Sequence, residues 1–165
     1  MGRASAGLLL AVAWGCGAAV RGGGVAQGDG AVPTRVIADR AGVPCCRESG
    51  YQAAVELVLR TRPEWEAAWK TLASAQPTPP LPAVDFGREM VLVVSSGTRP
   101  TGGWSITIER VERVGEALHV SVLETSPGRY CMTAQVLTHP AAAVAVPRFA
   151  GPVTFSRRSV VRDCG

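Results

Sequence analysis

The sequence has 165 residues, of which 47% are hydrophobic and 18% are charged, so one domain can bury its own core and a wholly disordered chain is excluded. The formal net charge is +4, and the basic residues are almost all arginines scattered along the chain, with Lys70 as the only lysine. So small and dispersed a charge does not form the basic stripe that nucleic-acid binding requires, which excludes nucleic acid as a partner.

The first part of the chain has the layout of a secretory signal. An arginine precedes an apolar run from Leu8 to Trp14, which is too short for a membrane span and is followed by small residues. We predict a signal peptide over residues 1–26, cleaved after Ala26, and an exported protein in the periplasm, in the cell envelope or outside the cell. The alternative is a lipoprotein signal, in which Ala13-Trp14-Gly15-Cys16 is a lipobox, Cys16 carries the lipid, and this anchor is the only contact with a membrane.

The predicted domain follows a segment without regular structure. Residues 27–50 show no hydrophobic periodicity, so we predict a flexible linker there and a single β-rich domain over residues 51–165. The first element of that domain is a strand at Ala53–Arg60, where apolar residues alternate with others.

One short helix follows this strand. Thr61 and Glu64 have the spacing of a capping box, which marks a helix start. Four apolar residues then fall at helical spacing and form one stripe: Trp65, Ala68, Trp69 and Leu72. Packing of this stripe on a sheet is the favoured interpretation, and a tryptophan platform for a ligand is the alternative. The proline-rich stretch Pro77–Pro82 ends the helix and predicts an extended connector.

Short apolar runs separated by turn residues predict the rest of the domain. We expect strands at Met90–Ser96, Ser105–Val111, Leu118–Glu124, Cys131–Leu137, Ala142–Arg148 and Val153–Ser156, and a last one near Ser159–Cys164. The nearly continuous apolar run of Met90–Ser96 predicts burial on both faces, and Gly115 predicts a hairpin turn. The fold class is therefore mainly β with one short helix (α+β), in a single antiparallel β-sandwich or barrel-like domain.

The most distinctive stretch is the loop Gly97–Trp104, which lies between two predicted strands. Its glycines and proline interrupt regular structure, and its Gly97-x-x-x-x-Gly102 spacing resembles the start of a phosphate-binding loop. Gly103 replaces the required lysine and a strand follows instead of a helix, so we reject a phosphate site. We predict that the loop binds a partner protein through Arg99, Pro100, Thr101, Gly102, Gly103 and Trp104. The alternative is a tight connection with Trp104 buried as a core anchor.

Four cysteines are left if Cys16 is removed or lipidated, namely Cys45, Cys46, Cys131 and Cys164. Four cysteines allow three full pairings, and their spacing does not choose among them. We expect a Cys131–Cys164 disulfide that ties the C-terminal strand to the sheet, and we leave the role of Cys45 and Cys46 open. A zinc site is the less favoured alternative, because no C-x-x-C spacing is present.

The sequence contains none of the common catalytic motifs. It has no G-x-S-x-G or H-E-x-x-H pattern, and no carboxylates paired at a spacing that indicates acid–base work. We interpret His119 and His139 as structural residues. The prediction is a protein without catalytic residues, cofactor or metal, and therefore not an enzyme.

Much of the predicted domain resembles the C-terminal domain of the PrcB protease-complex subunit family. The matching stretches are Glu64-Trp65, Trp69, Val84–Phe86, Met90–Val94, Gly97–Ile106, Pro127-Gly128, Cys131, Thr133–Gln135, His139-Pro140 and Val146-Pro147. The family commonly has Tyr where this chain has Trp104. The resemblance implies a small exported domain that assists the assembly of a protease complex and is not itself the protease. This chain lacks a large N-terminal region, so the resemblance does not by itself assign a protease partner.

A second resemblance is confined to the loop. Residues Arg99–Trp104 are similar to the inhibitory loop of chagasin-like protease inhibitors, which are immunoglobulin-like sandwiches. The resulting hypotheses are a non-catalytic accessory domain that binds a partner protein, such as a secreted or envelope protease, and a protease inhibitor that inserts the loop into a protease cleft.

Overall fold

The computed structural model describes residues 30–38, 49–74 and 79–164. These residues form eight strands and one helix, in the order β1 (Gly30–Ala31), β2 (Arg35–Ala38), β3 (Ala54–Leu59), α1 (Arg62–Leu72), β4 (Glu89–Ser96), β5 (Ser105–Val114), β6 (Ala117–Pro127), β7 (Ala141–Pro147) and β8 (Val153–Arg162). The predicted mainly β, α+β domain is confirmed.

The strands form two four-stranded sheets. One has the order β1-β5-β6-β8 and the other the order β2-β7-β4-β3. The pairs are antiparallel with one exception, because β8 runs parallel to β6 along its whole length. The predicted antiparallel arrangement therefore describes every pair of these strands except this one. The physical reason is the crossing through β7, which returns the chain to the starting end of β6, where Leu118 N donates to Pro152 O at 2.9 Å.

The molecule has three layers, and the sheet that contains β4 and β7 is the middle one. Alternate side chains of β4 and β7 pack against α1, with Val91 and Val93 in the same cluster as Trp65 and Trp69. The other side chains of β4 and β7 face the second sheet and pack against residues of β5 and β6. These side chains are Met90, Leu92, Val94, Ala142, Val144 and Val146. The expected burial of Met90–Ser96 on both faces is confirmed, since a strand in the middle layer has no solvent side.

The helix begins at a complete capping box, as predicted. Thr61 Oγ1 accepts from Glu64 N, and Glu64 Oε2 accepts from Thr61 N at 2.9 Å and from Arg60 N at 2.8 Å. Trp65 is 1% exposed and Trp69 is 4% exposed, so the interpretation of these tryptophans as packing residues is confirmed.

The proline-rich connector packs along this helix. The indole N–H groups of Trp65 and Trp69 donate to Pro82 O and Pro79 O, both at 3.1 Å. These bonds satisfy the polar edge of each buried ring and hold the extended chain against the helix. Burial also raises the pKa of the nearby half-buried phenol of Tyr51.

Two stretches differ from the sequence prediction. Residues Cys131–Leu137 do not form a strand; the Ala134 carbonyl accepts from Gly102 N of the Gly97–Trp104 loop, and Cys131 N donates to Gly128 O. Residues 30–38 of the predicted linker belong to the folded domain, where Ile37 and Ala38 are buried. Strands of two and four residues are too short to show a period, which explains why the pattern missed them.

Several predictions lie outside the described residues. They are the signal peptide over residues 1–26, the lipidation of Cys16 and the role of Cys45 and Cys46. Within the described part of the chain, no helix combines the length and apolarity needed to cross a membrane.

Candidate binding site

The Gly97–Trp104 loop leaves β4 in a conformation that requires glycine. Gly97 has a φ of +70°, and a Cβ at this position would lie 2.8 Å from backbone atoms of Gln52, Ala53 and Ala54. Gly103 has a φ of +88° and faces Pro127 and Thr133 at a distance that leaves little room for a Cβ. Gly97 thus allows β4 to end against the segment that precedes β3, and Gly103 turns the chain into β5.

Backbone hydrogen bonds fix the loop on two sides. Thr98 N donates to Gln52 O at 3.0 Å on one side. On the other side Arg99 and Thr138 exchange two backbone bonds, of 2.8 and 3.0 Å, and Gly102 N donates to Ala134 O at 2.8 Å. These bonds pair Thr98, Arg99 and Gly102 within the molecule and join the loop to residues 128–140.

The Arg99 side chain has a partner inside the molecule. Its Nη2 donates to Glu124 Oε1, and its guanidinium carbon lies 4.8 Å from the centroid of the Trp104 ring. Glu124 is only 4% exposed, and its Oε2 accepts from Arg157 Nη1 at 3.4 Å. Arg157 also bonds Glu56 Oε1 at 3.2 Å, so two arginines and two glutamates balance each other. A buried carboxylate needs such compensation, which gives Arg99 a structural role.

The other predicted binding residues divide into two groups. Pro100 is exposed, and Thr101 Oγ1 donates to the neighbouring Gly102 O at 3.1 Å. Gly102, Gly103 and Trp104 are half-buried and face a common cavity. The structure therefore brings the last three together and leaves Arg99, Pro100 and Thr101 outside the cavity lining.

The cavity has a volume of about 390 Å³ and lies between the loop and residues 128–140. We call it the groove; Trp104, Pro127, Met132, Val136 and Pro140 supply much of its apolar lining. The expected Cys131–Cys164 disulfide is present and forms part of its wall, with Arg162 beside it.

Sequence reasoning missed the exposed side chains next to the groove. Tyr130, Met132, Val136 and Leu137 are all exposed, Met132 fully. The alternation of Met132, Ala134 and Val136 matches that of a half-buried strand, yet all three of these residues face solvent. Nothing in the alternation distinguishes a strand that buries one face from a segment that exposes it.

The two histidines considered in the sequence analysis, His119 and His139, form no second site among the described residues. His119 is exposed with Nδ1 3.2 Å from Thr154 Oγ1, and the backbone carbonyl of His139 accepts from Ser49 N at 3.1 Å. Among the described residues, no three or more His, Cys, Asp and Glu side chains are grouped so that they could hold a metal ion.

Comparison with known proteins gives a family match for the segment that contains much of the groove. Residues 90–147 match the family model described as PrcB C-terminal, and this match spans β4, the Gly97–Trp104 loop, residues 128–140 and β7. No curated protein and no solved structure matches the chain. The match confirms the family that the sequence resembles, whereas the chagasin-like similarity of the loop stays a prediction. Residues 90–147 of this chain are therefore similar to the PrcB C-terminal family.

Proposed function

We propose that this chain is a non-catalytic accessory domain of an exported protease complex and that it binds its partner protein at the groove. The observation that carries the proposal is the row of exposed apolar side chains on residues 130–137, directly beside a cavity with a mixed apolar and polar lining. Burial of a methionine or leucine side chain contributes roughly 1.5–3 kcal/mol, so a partner that covers this row gains substantial binding energy.

The groove is held in place before any partner arrives. The Cys131–Cys164 disulfide ties one end of the exposed segment to the end of β8, and the Arg99–Thr138 bridge ties the other end to the loop. A surface fixed in this way loses little conformational entropy on binding, which favours affinity. In this proposal Gly102, Gly103 and Trp104 form one wall of the groove, and the Arg99 guanidinium packs against the Trp104 ring.

The family match and the N-terminal sequence support the protease complex and the exported location. The PrcB C-terminal match covers the Gly97–Trp104 loop and residues 128–140, between which the groove lies. The apolar N-terminal run and a disulfide in the folded domain both fit a protein that leaves the reducing cytosol. We infer from the missing catalytic motifs that the domain is not catalytic, and this inference is part of the proposal.

The inhibitor hypothesis has less support from the geometry. A loop that enters a protease cleft must offer free backbone groups along its length, as an added strand does. Here Thr98, Arg99 and Gly102 already donate their backbone N–H groups within the molecule.

The proposal is tested by affinity capture from the native cell envelope with wild type, Met132→Glu and Val114→Glu. Met132 lies at the groove, whereas Val114 is an exposed apolar residue at the opposite end of β5, so the two variants carry the same charge change. We expect Met132→Glu to lose a protease-complex protein that wild type and Val114→Glu both retain. Equal recovery by all three chains would contradict the binding face, and loss of a protein unrelated to any protease would remove the protease assignment.

A further inference from the structure

Strand β8 forms a long open edge of its sheet. All ten of its residues pair with β6, from Val153 opposite Leu118 to Arg162 opposite Pro127, without a register shift. No other described strand pairs with the second side of β8. At roughly 3.3 Å per residue, this edge is about 33 Å long.

The direction of the β8 backbone groups follows from three contacts with β6 and the residue after it. Pro152 O accepts from Leu118 N, Val160 O from Ser126 Oγ, and Arg162 O from Gly128 N. Because successive residues of a strand point their N–H and C=O groups to opposite sides, the even-numbered residues face β6. The odd-numbered residues Arg157, Ser159 and Val161 therefore direct their backbone donors and acceptors to the open side.

This edge lacks the features that usually block strand addition. Exposed edges are commonly protected by prolines, bulges or charged side chains, but β8 contains no proline and no bulge against β6. Its central charges are turned away from the edge, since Arg157 pairs with Glu124 and Glu56, and Arg158 bonds Glu109 across the sheet at 2.7 Å. The open edge is long, regular and without an unpaired charge at its centre.

We propose that β8 pairs antiparallel with β8 of a second copy of this chain, about a two-fold axis at Ser159. An antiparallel pair related by such an axis is self-complementary, so one surface serves both copies. Registers centred on Arg157 or Arg158 place like charges opposite each other, which destabilises the pair. The register centred on Ser159 places Arg157 opposite Val161, the large hydrophobic residue of β8 that is 65% exposed in the single chain. This inference does not depend on the groove or its partner.

A pair of strand edges buries little area compared with a permanent dimer interface, so the dimer is expected to form and dissociate with concentration. Sedimentation equilibrium of the full chain over a broad concentration range tests this, with wild type, Ser159→Lys and Val114→Lys. Lysine at position 159 places two ammonium groups opposite each other at the axis, whereas Val114 lies on β5, away from β8. We expect the mass of wild type and Val114→Lys to rise toward twice the monomer, and Ser159→Lys to stay monomeric. A monomeric wild type, or a Ser159→Lys chain that still associates, overturns the proposal.

Amide hydrogen exchange resolved by residue provides a second, independent measurement. The amides of Arg157, Ser159 and Val161 are expected to exchange slowly only at concentrations where the dimer forms. The amides of Ser156 and Arg158 point to β6 and are expected to be protected at every concentration. A dimer in which the three odd-numbered amides still exchange rapidly uses another surface, and that result also overturns the proposal.

Discussion

Arg99 lies between a buried carboxylate and an indole ring, in a loop rich in glycine. A tight turn needs no arginine, and for this reason Arg99 was predicted from the sequence to bind the partner protein. The structure provides another reason, because Glu124 on β6 needs a cation and is 25 residues away in the chain. No local pattern links the two residues, so this pair could not be predicted from the sequence.

Replacement of Arg99 by alanine is expected to reduce the free energy of unfolding by roughly 2–4 kcal/mol, because Glu124 then stays buried with one cation fewer. The matched variant is Arg158→Ala, which removes an exposed pair with Glu109 and is expected to cost less than about 1 kcal/mol. Urea denaturation of both variants measures the difference. Similar losses for the two would show that the buried pair has no special role.

Replacement by alanine is expected to cost much more stability at Gly97 than at Gly102. Gly97→Ala is expected to cost roughly 2–4 kcal/mol, because the positive φ and the nearby backbone of Gln52, Ala53 and Ala54 both oppose a side chain. At Gly102 a Cβ would meet the Ala134 side chain at an ordinary 3.5 Å, so the cost is expected to stay below about 1 kcal/mol. Thermal unfolding that ranks them in the reverse order would contradict this geometry.

At the scale of elements, the helix was predictable because its signals are local. The capping box and the tryptophan stripe lie within 12 consecutive residues, Thr61–Leu72, and the structure reproduces both. The conformation of Cys131–Leu137 was not predictable, because it depends on the Gly102–Ala134 hydrogen bond and the adjoining Arg99–Thr138 bridge, which join residues distant in sequence.

The helix cap makes stability depend on pH through Glu64. The backbone N–H of Arg60 and then the side chain of Thr61 lower the pKa of this carboxyl below its ordinary value of 4.5. A lowered folded pKa stabilises the protein above the ordinary pKa, and the contribution is lost as pH falls through the folded value. Glu64→Ala is expected to cost roughly 0.5–1 kcal/mol near neutral pH and progressively less in acid.

The control for this helix is Glu66→Ala, which removes only an exposed pair with Arg62 and is expected to cost about 0.2–0.5 kcal/mol. Chemical denaturation at a series of pH values provides the comparison. A difference between wild type and Glu64→Ala that grows toward low pH would have the wrong sign for a lowered pKa.

The disulfide constrains a different element, the segment between β6 and β7. Because Cys131 and Cys164 are 33 residues apart, loss of the bridge is expected to cost about 3–4 kcal/mol through the entropy of the unfolded chain. Denaturation of Cys131→Ser/Cys164→Ser against wild type measures this cost. An unchanged free energy of unfolding would show that the bridge does not restrict the chain.

At the scale of the whole molecule, the sequence predicted the class of fold but not the complete topology. The apolar run of Met90–Ser96 indicated a strand buried on both faces, which the three-layer arrangement explains. The parallel pairing of β8 with β6 depends on the path through β7, and a pattern of apolar residues does not encode strand direction. The groove escaped prediction for the same reason, since its two walls meet only in the folded chain.

Binding of the partner protein at the groove is tested most directly with a photoreactive benzophenone amino acid, placed at position 132 in one chain and at position 114 in another, in intact cells. Both positions are exposed, but only Met132 lies at the groove. We predict a specific adduct with one protease-complex protein from position 132 and none from position 114. Equal adducts from both positions, or none from position 132, would contradict the groove as the binding site.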